Sequence, residues 1–143
     1  MRTRLLLALL VTPTGALADQ DSNLQSGEYE VQMPLELPHV EDMNVQRAAK
    51  VCITETGTHG IVVLSENNPL VRCPAQNIKE SAGELTFDLI CEGHNQAVAS
   101  AKFKLYRERF DGAFNMKMGG KNMTMTERQS GKRVGDCANQ PRS

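Results

Sequence analysis

Four methionines stand close together in the second half of the chain: Met116, Met118, Met123 and Met125. A turn at Gly119-Gly120-Lys121-Asn122 sets Met118 opposite Met123 and Met116 opposite Met125, which places all four thioethers on one face of one hairpin. Soft sulfur ligands would suit Cu(I), and the same side chains would serve as a sink for oxidants. The competing reading is that methionine, flexible and polarizable, simply fills a core face there. No His or Cys joins the four within the hairpin, and core filling is the reading the residues favour.

The other chemistry-bearing residues are scattered. His39 follows a proline, His59 lies in the glycine-bounded stretch Gly57 to Gly60, and His94 sits at a hairpin tip. None has metal-ligand spacing, so all three read as loop histidines at the surface. Glu84, Asp88 and Glu92 share a strand face and would suit acid–base work, but Lys104 faces them across the sheet, and a charge-paired, solvated face explains them as well. No serine sits in G-x-S-x-G and no glycine-rich phosphate loop opens a helix. Asn122-Met123-Thr124 matches the glycosylation sequon, a tripeptide common by chance. No catalytic constellation is visible, the expectation is a protein that is not an enzyme, and no cofactor is called for.

Four cysteines remain: Cys52, Cys73, Cys91 and Cys137. They contain no C-x-x-C pair, which argues against both a zinc site and a thioredoxin-like motif. An even count in an exported chain reads as disulfides, for which three connectivities exist. A hairpin centred on Ala82 brings Cys73 directly opposite Cys91. That favours Cys73–Cys91 and leaves Cys52–Cys137 by elimination; the long loop would constrain the unfolded chain by about 4–5 kcal/mol and the short one by about 3.

The elements that must position these residues are strands. Tyr29, Val31, Met33 and Leu35 alternate from Gly27 onward, although Pro34 suggests an edge strand or a bulge. Pro38 to Asn44 reads as a loop and Lys50 to Thr54 as a second strand, while residues 55–70 are ambiguous, with Ile61 to Leu64 fitting a strand or one helical turn. Further on, a turn at Gly93-His94-Asn95 sets Leu85 opposite Phe103, Phe87 opposite Ala101 and Leu89 opposite Ala99 on one face, with Glu84 opposite Lys104 on the other. A turn around Glu108-Arg109-Phe110-Asp111 then sets Leu105 opposite Phe114 and Phe103 opposite Met116. Ile78 falls on the polar face, which a bulge near Pro74 would correct. The expected fold is an all-β antiparallel meander of about seven or eight strands, strongly curled or barrel-like and disulfide-stapled, because its apolar face must be covered by curling or by packing on the first strands.

The N-terminus explains the cysteines. Arg2 and Arg4, the apolar run Leu5 to Val11 and the small-residue site Ala16-Leu17-Ala18 are the three parts of a secretory signal, so residues 1–18 read as a signal peptide cleaved after Ala18. The run is far short of the about 20 residues that span a bilayer, so no membrane span is expected. Residues 19–26 are polar and read as disordered, residues 27–137 as a single β domain, and residues 138–143 as a disordered tail. The net charge is −1, before the loss of two signal-peptide arginines, and the chain has no Trp, four Phe and two Tyr. That leaves neither a basic footprint nor a stacking platform, which excludes nucleic acid as an expected partner.

Gly27-Glu28-Tyr29-Glu30, Val51-Cys52, Cys73, Cys91-Glu92-Gly93, the Met-x-Met hairpin and the closing run Ser130-Gly131-Lys132-Arg133-Val134-Gly135-Asp136-Cys137 together resemble the Domain of Unknown Function family 3617. Tyr29 stands where that family commonly has Trp. The resemblance implies a small exported protein of the Gram-negative periplasm with paired cysteines, and no catalytic residue to carry over. The expected function is a non-enzymatic periplasmic binding or envelope-accessory domain, its partner either an envelope protein or a small apolar ligand enclosed near Leu85, Phe87 and Phe103. The alternative is soft-metal binding or redox buffering by the methionine hairpin.

Overall fold

A computed structural model describes residues 24–36, 46–93, 96–119 and 123–138. The expected signal peptide, His39, His94, Asn122 and the residues beyond 138 lie outside them. The strands are β1 (Gly27–Glu36), β2 (Gln46–Ile53), β3 (Ala75–Ser81), β4 (Glu84–Ile90), β5 (Val98–Leu105), β6 (Arg109–Met118) and β7 (Met123–Gly135). They form one antiparallel sheet in the order β2-β1-β7-β6-β5-β4-β3. β3 to β7 make the meander, and β1 continues it by pairing with β7. β1 is therefore an interior strand despite Pro34, and its ladder with β7 passes from Gln32↔Ser130 to Leu35↔Glu127 without a pair at the proline.

The sheet is open. β2 and β3 are its two edges, and the expected barrel-like closure is not found. Nor do β1 and β2 pack across the apolar face; they extend it edge-on. The face is covered by the chain that joins the two edges, residues 54–74, which crosses the sheet as a strap. Residues 61–64 are neither strand nor helical turn but extended coil. The strap's only regular piece is the 3-10 turn Pro69–Arg72, capped by Asn68, whose side chain accepts from the Leu70 N–H.

Apolar residues of both layers meet beneath the strap. Ile61, Val63 and Leu70 bury against the sheet's Leu85, Phe87, Phe103, Phe110 and Phe114, each worth about 1.5–3 kcal/mol of transfer free energy. Aromatic rings form an unbroken row across four strands: Phe87 meets Phe114 at 5.7 Å, Phe114 meets Phe103 at 5.2 Å, Phe103 meets Phe110 at 5.9 Å, and Phe110 meets Tyr29 at 5.8 Å. Small residues opposite make room for them. Gly112 pairs with Phe103 and Gly131 with Phe110, and a Cβ at either glycine would collide with that ring.

The β4–β5 and β6–β7 registers are those read from the sequence, including Met118↔Met123 and Met116↔Met125. The β5–β6 register is not. Phe103 lies opposite Gly112 rather than Met116, and Leu105 opposite Phe110 rather than Phe114. The turn lies two residues earlier, closed by a hydrogen bond from the Tyr106 N–H to the Arg109 carbonyl. A slip by an even number of residues keeps every side chain on its face, so alternation alone does not detect it.

A bulge does occur in β3, between Gln76 and Lys79 rather than at Pro74, with Asn77 at a φ of 54°. It leaves Ile78 44% exposed. Residues 24–26, expected to be disordered, are held: Leu24 is buried, and the Gln25 N–H donates to the Arg107 carbonyl at 2.8 Å. The sulfurs are bonded Cys73–Cys91 and Cys52–Cys137, the pairing the hairpin register favours. One bond stands at each end of the strap.

A strap of irregular backbone laid on an apolar face must find partners for its polar groups. Glu127, fully buried on the inner face of β7, provides them: its carboxylate accepts from the Leu64 N–H at 2.7 Å and the Ser65 N–H at 3.0 Å. Beside it, Gln129 donates its amide to the Val62 carbonyl and to Glu127, both at 2.7 Å. Glu127→Ala should therefore orphan two buried donors, lowering stability by about 2–5 kcal/mol. Urea unfolding measures the loss, and hydrogen exchange should show Leu64 and Ser65 losing protection before the sheet amides do.

Candidate functional site

The polar face of the sheet points away from the strap, and two concavities open on it. The larger encloses about 1380 Å³ and spans β1, β7, β6 and the start of β4, bounded by the Tyr106–Glu108 hairpin tip and the Ala82–Gly83 turn. The smaller, about 410 Å³, lies further along the same face among Ser100, Asn115, Lys117 and Thr126.

Strand register builds the larger groove from two cross-strand rows. The first runs Lys50, Glu30, Lys132, Arg109 across β2, β1, β7 and β6. The second runs Gln32, Ser130, Asp111, Lys104, Glu84 across β1, β7, β6, β5 and β4. Most neighbours within the rows alternate in charge or are neutral, as cross-strand pairing favours. Arg109 and Lys132 are the exception: two cations directly opposite each other. The Arg109 guanidinium lies 3.8 Å from the centre of the Tyr106 ring.

Of the carboxylates singled out from the sequence, Glu84 pairs at 3.1 Å with Lys102, diagonal to it on β5, rather than with Lys104 directly opposite, and Asp88 accepts from the Asn77 amide at 2.9 Å. Glu92 is exposed beyond the end of β4. They do not converge on a common point of chemistry. Leu85, Phe87 and Phe103, expected to line an enclosed apolar site, are at most 3% exposed and belong to the packed core.

The methionines share one inner face but not one environment. Met116 is buried, and its sulfur accepts from the Asn68 amide at 3.0 Å. Met118 and Met125 pack against the core's margin, and Met123 is 49% exposed.

His59 is not a surface residue. It is 5% exposed, with Nδ1 3.0 Å from the Thr54 carbonyl oxygen and Nε2 2.6 Å from a Glu80 carboxylate oxygen. It also adopts a φ of 57°, unusual for a residue with a side chain, and these contacts hold it there. Among the described residues no group of three or more His, Cys, Asp or Glu is arranged to hold a metal ion.

Glu127, Gln129 and Arg133 were missed in the sequence reading as inward residues, although the signal was present. They continue the odd-numbered parity of Met123 and Met125, which period-two alternation carries onto the apolar face. Arg133 donates from Nε to the Ser26 carbonyl at 3.1 Å and pairs with Asp136. Its backbone N–H reaches the Glu108 carbonyl. The closing run thus ties the N-terminal segment, the β5–β6 tip and Cys137 together at one rim of the groove.

These features define a class: an open antiparallel sheet with one face sealed by a disulfide-anchored strap and the other left polar and concave. The chain belongs to the family described as "Protein of unknown function (DUF3617)", whose match covers residues 24–137. No curated protein and no solved structure matches it. No helix among the described residues is long and apolar enough to cross a membrane.

Burial pushes the pKa of the Tyr29 hydroxyl up to about 12, with Arg133 opposing the rise and Glu108 adding to it; the hydroxyl donates to the Gln25 carbonyl at 2.7 Å. An acid so raised contributes stability that is whole below the ordinary value of about 10 and lost as pH climbs through about 12. In a Tyr106→Phe variant, where Tyr29 is the sole tyrosine, tyrosinate absorbance should appear about two pH units later than in the urea-unfolded chain.

Proposed function

We propose that the protein is a non-enzymatic, exported periplasmic domain that binds a ligand or an envelope partner on the polar face of its sheet. The observation that carries this reading is the division between the two faces. One is closed by the strap and filled by side chains, and the other is concave, charged and, among the described residues, unobstructed. Export is supported by the three-part N-terminal pattern and by two disulfides, which persist in oxidising compartments.

Native mass spectrometry on protein recovered from the periplasm of a Gram-negative host, without refolding, tests the reading. The expected covalent mass corresponds to cleavage after Ala18 with four hydrogens lost, carrying an additional non-covalent mass. Full-length chain with free thiols in the cytosolic fraction would overturn export. A ligand-free mass, with no partner retained on cross-linking through the polar face, would overturn binding there.

A second reading, a soft-metal or redox-buffer role, rests on Met118, Met123 and Met125 lying together at the turn end of the β6–β7 hairpin, with Met123 accessible. It requires Cu(I) affinity, measured by competition with a chromogenic chelator, to fall in a Met123→Leu/Met125→Leu variant. Equal affinity in the two proteins excludes it.

A further inference from the structure

Resting on the binding reading, we infer that the larger groove takes an acidic saccharide, its carboxylate or phosphate group held by Arg109 and Lys132. Like charges on directly opposed residues of neighbouring strands are unfavourable, yet Arg109 and Lys132 occupy such positions, both exposed. Among the described residues neither has a carboxylate within ion-pair distance. An anion bound between them removes the repulsion and supplies both with a partner.

Arg109 is also set up for the task. Its guanidinium is stacked 3.8 Å from the Tyr106 ring centre, which occupies one planar face and leaves the N–H edges for a two-pronged contact with an acid group. A side chain already held in place loses less freedom on binding.

The rest of the groove decides what carries the acid group. Glu30, Gln32, Asp111 and Ser130 line it beside the cation pair. Across the whole groove four carboxylates nearly balance five cations, so a polyanion such as a nucleic acid or polyphosphate meets no uniformly basic surface. The same carboxylates, with an amide and a hydroxyl, are suitable hydrogen-bond partners for sugar hydroxyls. At about 1380 Å³ the groove is much larger than one phosphate or carboxylate ion needs. A ligand with a localised acid group and many hydroxyls satisfies all of these features together.

The test is a titration of the mature, oxidised protein, followed by backbone amide shifts and calorimetry. The probes are aldotriouronic acid (a trisaccharide with a single carboxylate), a phosphorylated hexose, neutral maltotriose and inorganic phosphate. One of the two acidic sugars is expected to shift amides of residues 104–111 and 130–134 and to bind at least about tenfold more tightly than maltotriose or phosphate; aldotriouronic acid assigns the acid group as a carboxylate, the hexose as a phosphate. Arg109→Gln and Lys132→Gln should each weaken that binding about tenfold or more, the loss expected for a charge-assisted hydrogen bond. Arg109→Lys should restore it only in part, while Lys117→Gln, on the same face beyond this groove, should leave it unchanged. Near-UV circular dichroism verifies that the variants stay folded.

Equal binding of inorganic phosphate would reduce the pair to an adventitious anion site, and equal binding of maltotriose would remove its role; either overturns the inference. So would retention of the native non-covalent mass by the Arg109→Gln/Lys132→Gln protein, which leaves the binding reading standing. Absence of any retained mass, with groove amides unmoved by all four probes, defeats the binding reading itself.

Discussion

One buried carboxylate carries the architecture. A single sheet with an apolar face needs a second layer, and here that layer is irregular chain whose own N–H and C=O groups must be satisfied away from water. Glu127 accepts two consecutive strap N–H groups, and Gln129 reaches the carbonyl of Val62 just before them. Burying Ile61, Val63 and Leu70 favours the strap's position, and the carboxylate removes the polar penalty that would oppose it.

The remaining anchors work around that point. Cys52–Cys137 holds the chain as it leaves β2, and Cys73–Cys91 holds it where it enters β3. His59 joins the strap's beginning to Glu80 of β3. Asn68 caps the 3-10 turn and also donates to Met116 beneath it. The methionine of the core is thereby drawn into the strap's hydrogen bonding, so its sulfur is engaged in structure rather than offered to a ligand.

With one face sealed, the other is released from any duty in the core. Its residues need only pair across strands and remain hydrated, which makes the like-charge pair found among the described residues, Arg109 beside Lys132, informative. The chemistry of the closing Ser-Gly-basic-basic run divides along the same line. Gly131 admits the Phe110 ring, Arg133 and Asp136 tie the rim together, and Ser130 and Lys132 turn to the groove.

Alternation was the most legible feature of the chain. It assigns Phe87, Phe103, Phe114 and Met116 to the inner face and Glu84, Asp88 and Lys104 to the outer, and turn glycines give two registers correctly. It also contained Glu127 and Gln129, but their polarity argued against the position their parity required. The β5–β6 register stayed hidden because a slip by an even number of residues preserves the alternation; Gly112 opposite Phe103 was the available clue, since only a residue without a side chain fits under that ring.

The amino-acid sequence by itself determined which residues are strands, which side of a strand faces inward and which cysteines can meet, because these follow from period two and from local turns. Only the tertiary structure decided that β1 joins β7, that residues 54–74 close the apolar face in place of a barrel, that His59 is buried, and that two cations and a tyrosine come together at one end of a groove. Those outcomes depend on contacts between segments far apart in the chain, and no local pattern encodes which distant backbone a buried carboxylate will serve.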